Sequence, residues 1–211
     1  RVLFEALQHV LGPYAHAVQT DVLIGQNHHR TAGSAQPHLM ALQGKRITYC
    51  SETNERDKLS SAQVKNITGG DAITARNLNQ NPITFTPSHT LFLQTNYKPQ
   101  APADDDALWE RVKVIEFKVR FVDEPSAPDE RPRDLKLEET LHNEAPGILA
   151  WLVRGGLEWQ KHGMQTPASV RIARDTYRKE ESIDPFISAA CVEADGLQAE
   201  GGALYDAYKE W

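Results

Sequence analysis

Short apolar runs alternate with helical patterns along the first half of the chain. The runs "RITYCSE" and "TLFLQTN" are apolar and rich in β-formers, which predicts buried strands of a parallel sheet. Between them, "KLSSAQVKNIT" predicts a helix with Val64 and Ile67 facing inward. Ser60 or Ser61 can cap this helix, and the Gly69-Gly70 pair can end it. Strands that alternate with helices indicate an α/β fold with a largely parallel sheet covered on both faces.

The remaining patterns of the first half extend this prediction. "RVLFEALQHVLG" predicts a helix that ends at Gly12, "DVLIG" a short strand, residues 30–43 a helix, and "VKVIEFKVRF" a further strand. "DDDALWER" predicts a short helix with acids at its N-terminus, where the helix dipole favours them. Two extended runs flank the turn-rich "NLNQNP", so an antiparallel hairpin is expected from about Ile73 to Phe85.

The second half is predicted to be helical after a linker. "VDEPSAPDERPRD" combines prolines with charge, which is typical of a linker, and we place it at residues 123–134. Helical patterns fill residues 135–190, and Gly155-Gly156 is expected to break or kink the apolar "GILAWLVRGGLEW". Pro167 lies near a helix start, and "GGALYDAYKEW" predicts a last helix within residues 191–211.

Composition narrows the functional classes. The chain has 211 residues, is 40% hydrophobic and 25% charged, and has no apolar run long enough to span a membrane. Its net charge of −6 argues against wholesale coating of nucleic acid, but residues 45–120 hold 11 basic and 9 acidic residues. A polyanion contact is therefore expected in the first half, with a solvated face of mixed charge as the alternative.

Other features of the sequence bear on its setting. Cys50 and Cys191 lie in apolar contexts without metal-ligand spacing, so we expect reduced core cysteines of a cytosolic protein. His28-His29 has no third ligand at suitable spacing, which favours loop histidines over a metal site. The chain has no starting Met and no signal-peptide pattern, and we expect it to be a fragment.

Two predicted strands end in polar side chains that could act on a ligand. Glu52 follows one strand and Asn96 follows another, and open α/β sheets bind ligands at the carboxyl ends of their strands. A carboxylate there can hold Mg²⁺ through water or orient an attacking water, and an amide can position that water or a γ-phosphate. The alternatives are an ordinary acid at a strand end and a turn-forming Asn before Lys98-Pro99.

The order of these pieces resembles a known family. The matching stretches are "LQGKRITYCSET", "KLSSAQVKNITGGDAITARNL", "FTPSHTLFLQTNYKP", "DDDALWERVKVIEF", "EAPGILAWLVRGGLEW" and "FISAACVEAD", which span nearly the whole chain. Together they resemble superfamily 3 helicases of the AAA+ class. They resemble more closely the helicase half of phage- and plasmid-type primase–helicases, relatives of the poxvirus primase–helicase.

The resemblance implies roles for individual residues. Glu52 matches the Walker B acid beside ATP and Mg²⁺, Asn96 the sensor asparagine, and Arg111 the arginine finger that reaches a neighbouring subunit's nucleotide. The hairpin matches the one that lines a ring pore and grips DNA. Lys65 and Arg76 fall in a region of DNA or intersubunit contact, together with Thr68 and Asp71. An exposed helix lysine and an Arg76–Asp71 salt bridge are the respective alternatives for Lys65 and Arg76.

The resemblance also implies an architecture and a setting. Residues 1–122 would be an AAA+ core without its first strand and phosphate loop, residues 135–190 a helical region, and residues 191–211 the start of a winged helix. The sequence has no G-x-x-x-x-G-K-[S/T] motif, and "QGKR" lacks its upstream Gly, so this chain alone is expected to bind ATP poorly.

Assembly and setting follow from the same family. We expect a ring, usually a hexamer, that translocates on single- or double-stranded DNA, with a primase domain in the same polypeptide. The expected location is the cytoplasm of a bacterial host, in a phage- or plasmid-encoded protein. The alternatives are a non-catalytic replication initiator or scaffold that kept the fold, and a clamp-loader or DNA-loading ATPase.

Overall fold

A three-stranded parallel sheet organises the first half of the chain. The computed structural model describes residues 2–24, 34–51, 53, 57–192, 194 and 196–211. Strands β1 (Ala15–Ala17), β2 (Ile47–Ser51) and β5 (Thr90–Gln94) pair in the order β1-β2-β5. In β2, Thr48 and Cys50 are buried while the residues between them are less so, which follows the two-residue period of a strand. The predicted α/β class and parallel sheet are confirmed.

Helices and two small sheets surround this one. The first half holds α1 (Val2–Leu11), α2 (Pro37–Met40), α3 (Ser61–Thr68), β3 (Ile73–Ala75), β4 (Ile83–Phe85) and α4 (Asp106–Arg111). The second half holds β6 (Arg120–Val122), β7 (Glu130–Pro132), α5 (Leu137–Asn143), α6 (Ala145–His162), α7 (Ala168–Glu180), α8 (Asp184–Ala190) and α9 (Gly201–Glu210). Strands β3 and β4 pair antiparallel, so the predicted hairpin is confirmed.

The core lies between the sheet, α3, α4 and one face of α7. Ile67 of α3, Leu108 and Trp109 of α4, and Tyr177 of α7 are all buried in one cluster with Cys50. The rings of Trp109 and Tyr177 meet edge to face, with centroids 5.0 Å apart. Helix α7 therefore attaches the helical second half to the sheet half of the molecule.

Two sequence predictions about helices and strands near residues 20–43 are wrong. "DVLIG" forms a 3-10 helix at Thr20–Val22, and Ile24 makes a single bridge to Leu59, because no neighbouring strand in the described part of the chain extends that pairing. Of the helix expected at residues 30–43, the described part contains only α2, which begins at Pro37. Residues 41–44 continue as turns, and Gly44 adopts a positive φ of 69° before β2.

Three further predictions need correction. Within "VKVIEFKVRF" only Arg120–Val122 is a strand, because residues 112–119 have no neighbouring strand to bond with in the described part of the chain. The predicted linker at 123–134 contains β7, which pairs with β6. Helix α6 runs unbroken through Gly155-Gly156, since a glycine pair only weakens a helix whose other residues favour it.

The structure tests some of the predictions for the cysteines and the C-terminal segment. Cys50 is a free, buried core thiol, and burial raises its pKa to about 12, whereas Cys191 is free and half-buried. The final helix of the sequence analysis is confirmed as α9, and the winged helix stays a prediction. No helix among the described residues is long and apolar enough to cross a membrane.

Candidate functional site

The candidate site lies at the carboxyl ends of β2 and β5. These strands pair in parallel from Ile47↔Thr90 to Ser51↔Gln94, so both chains leave the sheet at the same edge. Asn96 is exposed two residues beyond the end of β5. Glu52 lies outside the described residues, and the neighbours on either side of it, Ser51 and Thr53, are at this edge. The structure thus brings together the two turns that the sequence analysis singled out.

Two threonines connect these turns. Thr53 is only 7% exposed, and its hydroxyl contacts the hydroxyl of Thr95 and lies 3.1 Å from the carbonyl oxygen of Tyr97. The Thr95 hydroxyl lies 2.7 Å from the same oxygen and accepts a hydrogen bond from the Tyr97 N–H at 3.1 Å. Thr95 therefore closes a small turn on its own strand end, and Asn96 is the residue at the middle of that turn.

Helix α7 holds the segment that leads from Asn96 to α4. The Tyr177 hydroxyl donates to the carbonyl of Pro99, and the Ala101 N–H donates to Glu181 at 2.8 Å. Arg178 donates from Nε to the Ala103 carbonyl at 2.7 Å, and its Nη2 pairs with Asp106 at 2.5 Å. The backbone between Asn96 and α4 is thus tied to one helix at three places.

Arg111 lies at the end of α4 and faces solvent. It is exposed, and its Nη1 donates to the carbonyl of Ala107 on the preceding turn at 2.6 Å. An arginine that acts across a subunit interface must be accessible on its own subunit. The position of Arg111 meets this requirement, and its role as an arginine finger stays a prediction.

Lys65 takes part in an ion pair that the sequence analysis did not anticipate. Its Nζ lies 2.8 Å from Oδ2 of Asp105, and the same oxygen accepts a hydrogen bond from the hydroxyl of Ser61. The other carboxylate oxygen, Oδ1, accepts from the Leu108 N–H at 3.0 Å and so caps α4. Hydrogen bonds from Lys65, Ser61 and Leu108 hold the pKa of Asp105 at about 2. Lys65 therefore joins α3 to the start of α4, and a DNA contact by Lys65 stays a prediction.

The hairpin carries polar groups at its tip and Arg76 nearer its base. Thr74 and Thr84 face each other across the strands with their hydroxyls 2.8 Å apart. Leu78 is exposed at the tip, and Asn79 takes the left-handed conformation with φ of 58°, which asparagine tolerates in turns. Arg76 is half-buried, and its carbonyl accepts from the Gln36 N–H at 2.8 Å. A DNA contact by the Arg76 guanidinium stays a prediction, with a salt bridge to Asp71 as its alternative.

Several residues of this region were not singled out from the sequence. Asp105 could have been found as the cap of "DDDALWER", because an acid directly before a short helix is a common N-cap. The hydroxyls in "SETN" and "LQTN" follow their strands directly, but only the register of β2 and β5 shows that they meet. Within the described ranges no three His, Cys, Asp or Glu side chains cluster as metal ligands, and Mg²⁺ at Glu52 stays a prediction.

Similar proteins were found among viral proteins named as helicases and primases. The chain is 30% identical over 223 residues to the provisionally named helicase L207/L206 of Acanthamoeba polyphaga mimivirus, a match that covers 99% of this chain and 23% of that protein. It is 24% identical to the provisionally named primase C962R of African swine fever virus, over 96% of this chain and 22% of that protein. Primase D5 of fowlpox virus is 29% identical over 40% of this chain and 11% of that protein.

Comparisons with protein-family models and with solved structures give no further family assignment. No protein-family model matches the chain. The apo C-terminal region of NrS-1 resembles it with a TM-score of 0.46 and 13% identity, over 84% of this chain and 34% of that one. The chain spans less than a quarter of the length of the mimivirus and swine fever virus relatives. The resemblance to helicase and primase proteins is confirmed, and these relatives come from viruses of the mimivirus, swine fever and pox types, so a phage or plasmid origin stays a prediction.

Proposed function

This chain is homologous to segments of viral proteins named as helicases and primases, and we propose that it is the larger part of the ATPase core of a ring-forming DNA helicase within a replicative primase–helicase. The observation that supports this most directly is the parallel β2–β5 pair, because the two strands that lead to Glu52 and Asn96 in the sequence leave the sheet at the same edge. Ligands of open α/β sheets bind at this kind of edge.

The residues at this edge have the chemistry that ATP hydrolysis needs. In this proposal Glu52 orients the attacking water and holds Mg²⁺ through water, and the exposed amide of Asn96 positions that water or the γ-phosphate. Arg111 stabilises the developing negative charge in the site of the adjacent subunit. Bound Mg²⁺ would neutralise charge on the phosphate oxygens. The phosphate-cradling loop would come from a part of the polypeptide beyond this chain.

The test of hydrolysis uses the full natural polypeptide that carries this chain. Glu52→Gln should abolish ATP turnover and leave ATP binding largely unchanged, because the amide keeps the size of the side chain but cannot activate water. Glu110→Gln, which neutralises an exposed acid of α4, is the matched control and should turn over ATP normally. Near-normal turnover by Glu52→Gln would remove Glu52 from the catalytic role.

The test of assembly depends on mixing two inactive variants. Arginine fingers contribute about 10³ to 10⁵ in rate in other phosphoryl-transfer systems, so Arg111→Ala alone should be nearly inactive. Mixed with Glu52→Gln, it should regain activity at interfaces that combine an intact Arg111 with an intact Glu52. Lys113→Ala, two residues further along and also exposed, should be active alone. Absence of any rescue on mixing contradicts the action in trans.

The proposed DNA contact is the hairpin of β3 and β4. Arg76→Ala should weaken single-stranded DNA binding similarly across sequences. It should also lower the salt dependence by about 0.7 in log–log slope for each phosphate that the variant no longer neutralises. This effect is expected in the assembled ring, where several hairpins meet one strand. An unchanged affinity together with an unchanged salt slope would favour a structural role for Arg76.

A non-catalytic replication initiator or scaffold is the other candidate. It predicts that the unsubstituted natural polypeptide binds DNA but shows no ATP turnover, with or without DNA. Exposed arginine and asparagine side chains are ordinary on protein surfaces, so the ATP turnover of the unsubstituted polypeptide separates the two candidates.

A further inference from the structure

The turns after β2 and β5 are connected by two side-chain hydroxyls, not only by the strand ladder. Ladder pairing ends at Ser51↔Gln94, and beyond it the hydroxyls of Thr53 and Thr95 and the carbonyl of Tyr97 form a group that we call the threonine latch. Thr53 is buried although it lies past the end of its strand, so its hydroxyl has little access to water. The latch is therefore a polar contact that fixes one turn against the other.

A count of hydrogens shows how the latch works. Two hydroxyl hydrogens serve three oxygen–oxygen contacts, so one hydroxyl donates to the other and the second donates to the Tyr97 carbonyl. The Tyr97 N–H occupies one acceptor position on Thr95. Both contacts that cross between the two segments involve the Thr53 hydroxyl, so its removal disconnects them, whereas removal of the Thr95 hydroxyl leaves the Thr53 contact with the Tyr97 carbonyl.

The residues of the latch are neighbours in the chain of both candidate residues of the proposed site. Asn96 lies between Thr95 and Tyr97, whose hydroxyl, N–H and carbonyl are all engaged, and Thr53 directly follows Glu52 in the chain. We propose that Thr53, which follows Glu52 in the chain, and Thr95, which precedes Asn96, are positioning residues that hold these two segments together. This inference rests on the proposed function for its catalytic consequence, whereas the latch itself can be tested without it.

A purely structural latch would behave differently from a positioning one. If it only adds stability, its removal lowers the unfolding midpoint, and molecules that remain folded turn over ATP at the normal rate. If it positions the site, folded molecules lose turnover while ATP binding changes little. Small misplacements of reacting groups can reduce rates on the order of 10²-fold, so the expected loss of kcat is about 10-fold to 100-fold.

The experiment compares variants of the full natural polypeptide at a temperature where all are folded. Thr53→Val and Thr95→Val replace a hydroxyl with a methyl group of similar size, and their losses of kcat should be less than additive in the double variant, because both remove the same Thr53–Thr95 contact. Thr53→Ser restores the hydroxyl and should restore kcat. Thr48→Val is the control: Thr48 is buried in β2, and its hydroxyl has no hydrogen-bond partner within the described part of the chain.

Amide hydrogen exchange on the 211-residue chain supplies a readout that needs no ATP. The Tyr97 N–H donates to Thr95, so Thr53→Val leaves this bond in place but removes the contacts that hold the surrounding turn. Exchange of the Tyr97 N–H should therefore become about five-fold faster in Thr53→Val and stay unchanged in Thr53→Ser and Thr48→Val. Unchanged Tyr97 exchange, or normal kcat in folded Thr53→Val, would overturn the proposal. If the unsubstituted polypeptide has no ATP turnover, the proposed function fails, and the exchange result alone decides whether the latch fixes the turns.

Discussion

Residues 98–111 and residues 112–119 follow each other in the chain but differ sharply in how they are held. The first segment places Ala101, Leu108 and Trp109 in the core, and α3 and α7 bind its backbone and acids. The second carries Ile115 at 60% and Phe117 at 81% exposure, although its apolar residues alternate as in a strand. Strong sequence patterns are present in both segments, yet only the first forms the predicted element along its length.

The difference shows which elements can form without a partner. Helix α4 needs no partner strand, because its backbone groups pair within the helix and Asp105 accepts from the Leu108 N–H at its start, while burial of Leu108 and Trp109 stabilises this short helix. A strand cannot pair its own N–H and C=O groups and needs a neighbour with a free edge. Within the described part of the chain, residues 112–119 have no such neighbour, and the alternation of their side chains alone does not produce a strand.

The largest expected effect on stability comes from substitution of Trp109, which anchors the first segment in the core. Trp109 is 2% exposed, packs edge to face on Tyr177 and donates from Nε1 to the Pro102 carbonyl at 2.8 Å. Trp109→Ala should lower the free energy of unfolding by about 3–5 kcal/mol, measured by urea denaturation. Trp151→Ala, at a site that is 60% exposed on α6, should cost well under half of that. Similar losses at both positions would show that Trp109 is no stronger an anchor than an exposed tryptophan.

A smaller effect is expected from the hydroxyl that ties α7 to this segment. Tyr177 is buried and donates to the carbonyl of Pro99, itself buried, so Tyr177→Phe leaves an acceptor without its donor. We expect a decrease of about 1–3 kcal/mol in unfolding free energy, and Tyr205→Phe at an exposed site of α9 should be neutral. An unchanged stability in Tyr177→Phe would mean that the hydroxyl adds nothing to the attachment made by the Tyr177 ring, Arg178 and Glu181.

The third prediction concerns acid stability through Asp105. Its folded pKa of about 2 lies below the ordinary value of 3.8, so its contribution is complete above pH 3.8 and is lost as the pH falls towards 2. Asp105→Asn should lower the unfolding midpoint at about pH 7 and flatten the pH dependence of stability between these two pKa values. Asp104→Asn, at an exposed position one residue earlier, is the matched control and should leave the unfolding midpoint at about pH 7 unchanged. The same slope in Asp105→Asn would show that other acids determine it.

These contrasts also explain how much of the structure could be predicted from the sequence. Strands β2 and β5, helix α3 with Ser60 as its cap, and the Ile73–Phe85 hairpin were predictable, because their signals are local and their partners are present. The Lys65–Asp105 pair joins residues 40 positions apart and was not, since an exposed lysine on a helix has the same local pattern whether or not it is paired. The threonine latch likewise depends on register between two strands.

The incorrect predictions of strands and helix breaks share a physical cause. An unbroken α6 across Gly155-Gly156 shows that a penalty of about 1 kcal/mol per glycine is small against the remaining turns of an 18-residue helix. The opposite case is seen at Ile24, which makes a single bridge, and at residues 112–119, which form no strand. In both places good strand formers lack a neighbouring strand within the described residues. Patterns predict preferences, and contacts across the fold decide whether a preference is realised.

The smallest expected effect tests the second segment directly. In the 211-residue chain, Ile115→Thr combined with Phe117→Thr should change the unfolding free energy by no more than about 0.5 kcal/mol, because both side chains already face solvent. Leu108→Thr, at a fully buried position of α4, is the matched substitution and should cost several-fold more. In the unsubstituted chain, amides of residues 113–119 should exchange faster than those of α4. Slow exchange at 113–119, together with a decrease above about 1 kcal/mol in the double variant, would show that this segment packs against a partner in solution. The contrast with residues 98–111 would then come from that partner and not from an unpaired strand.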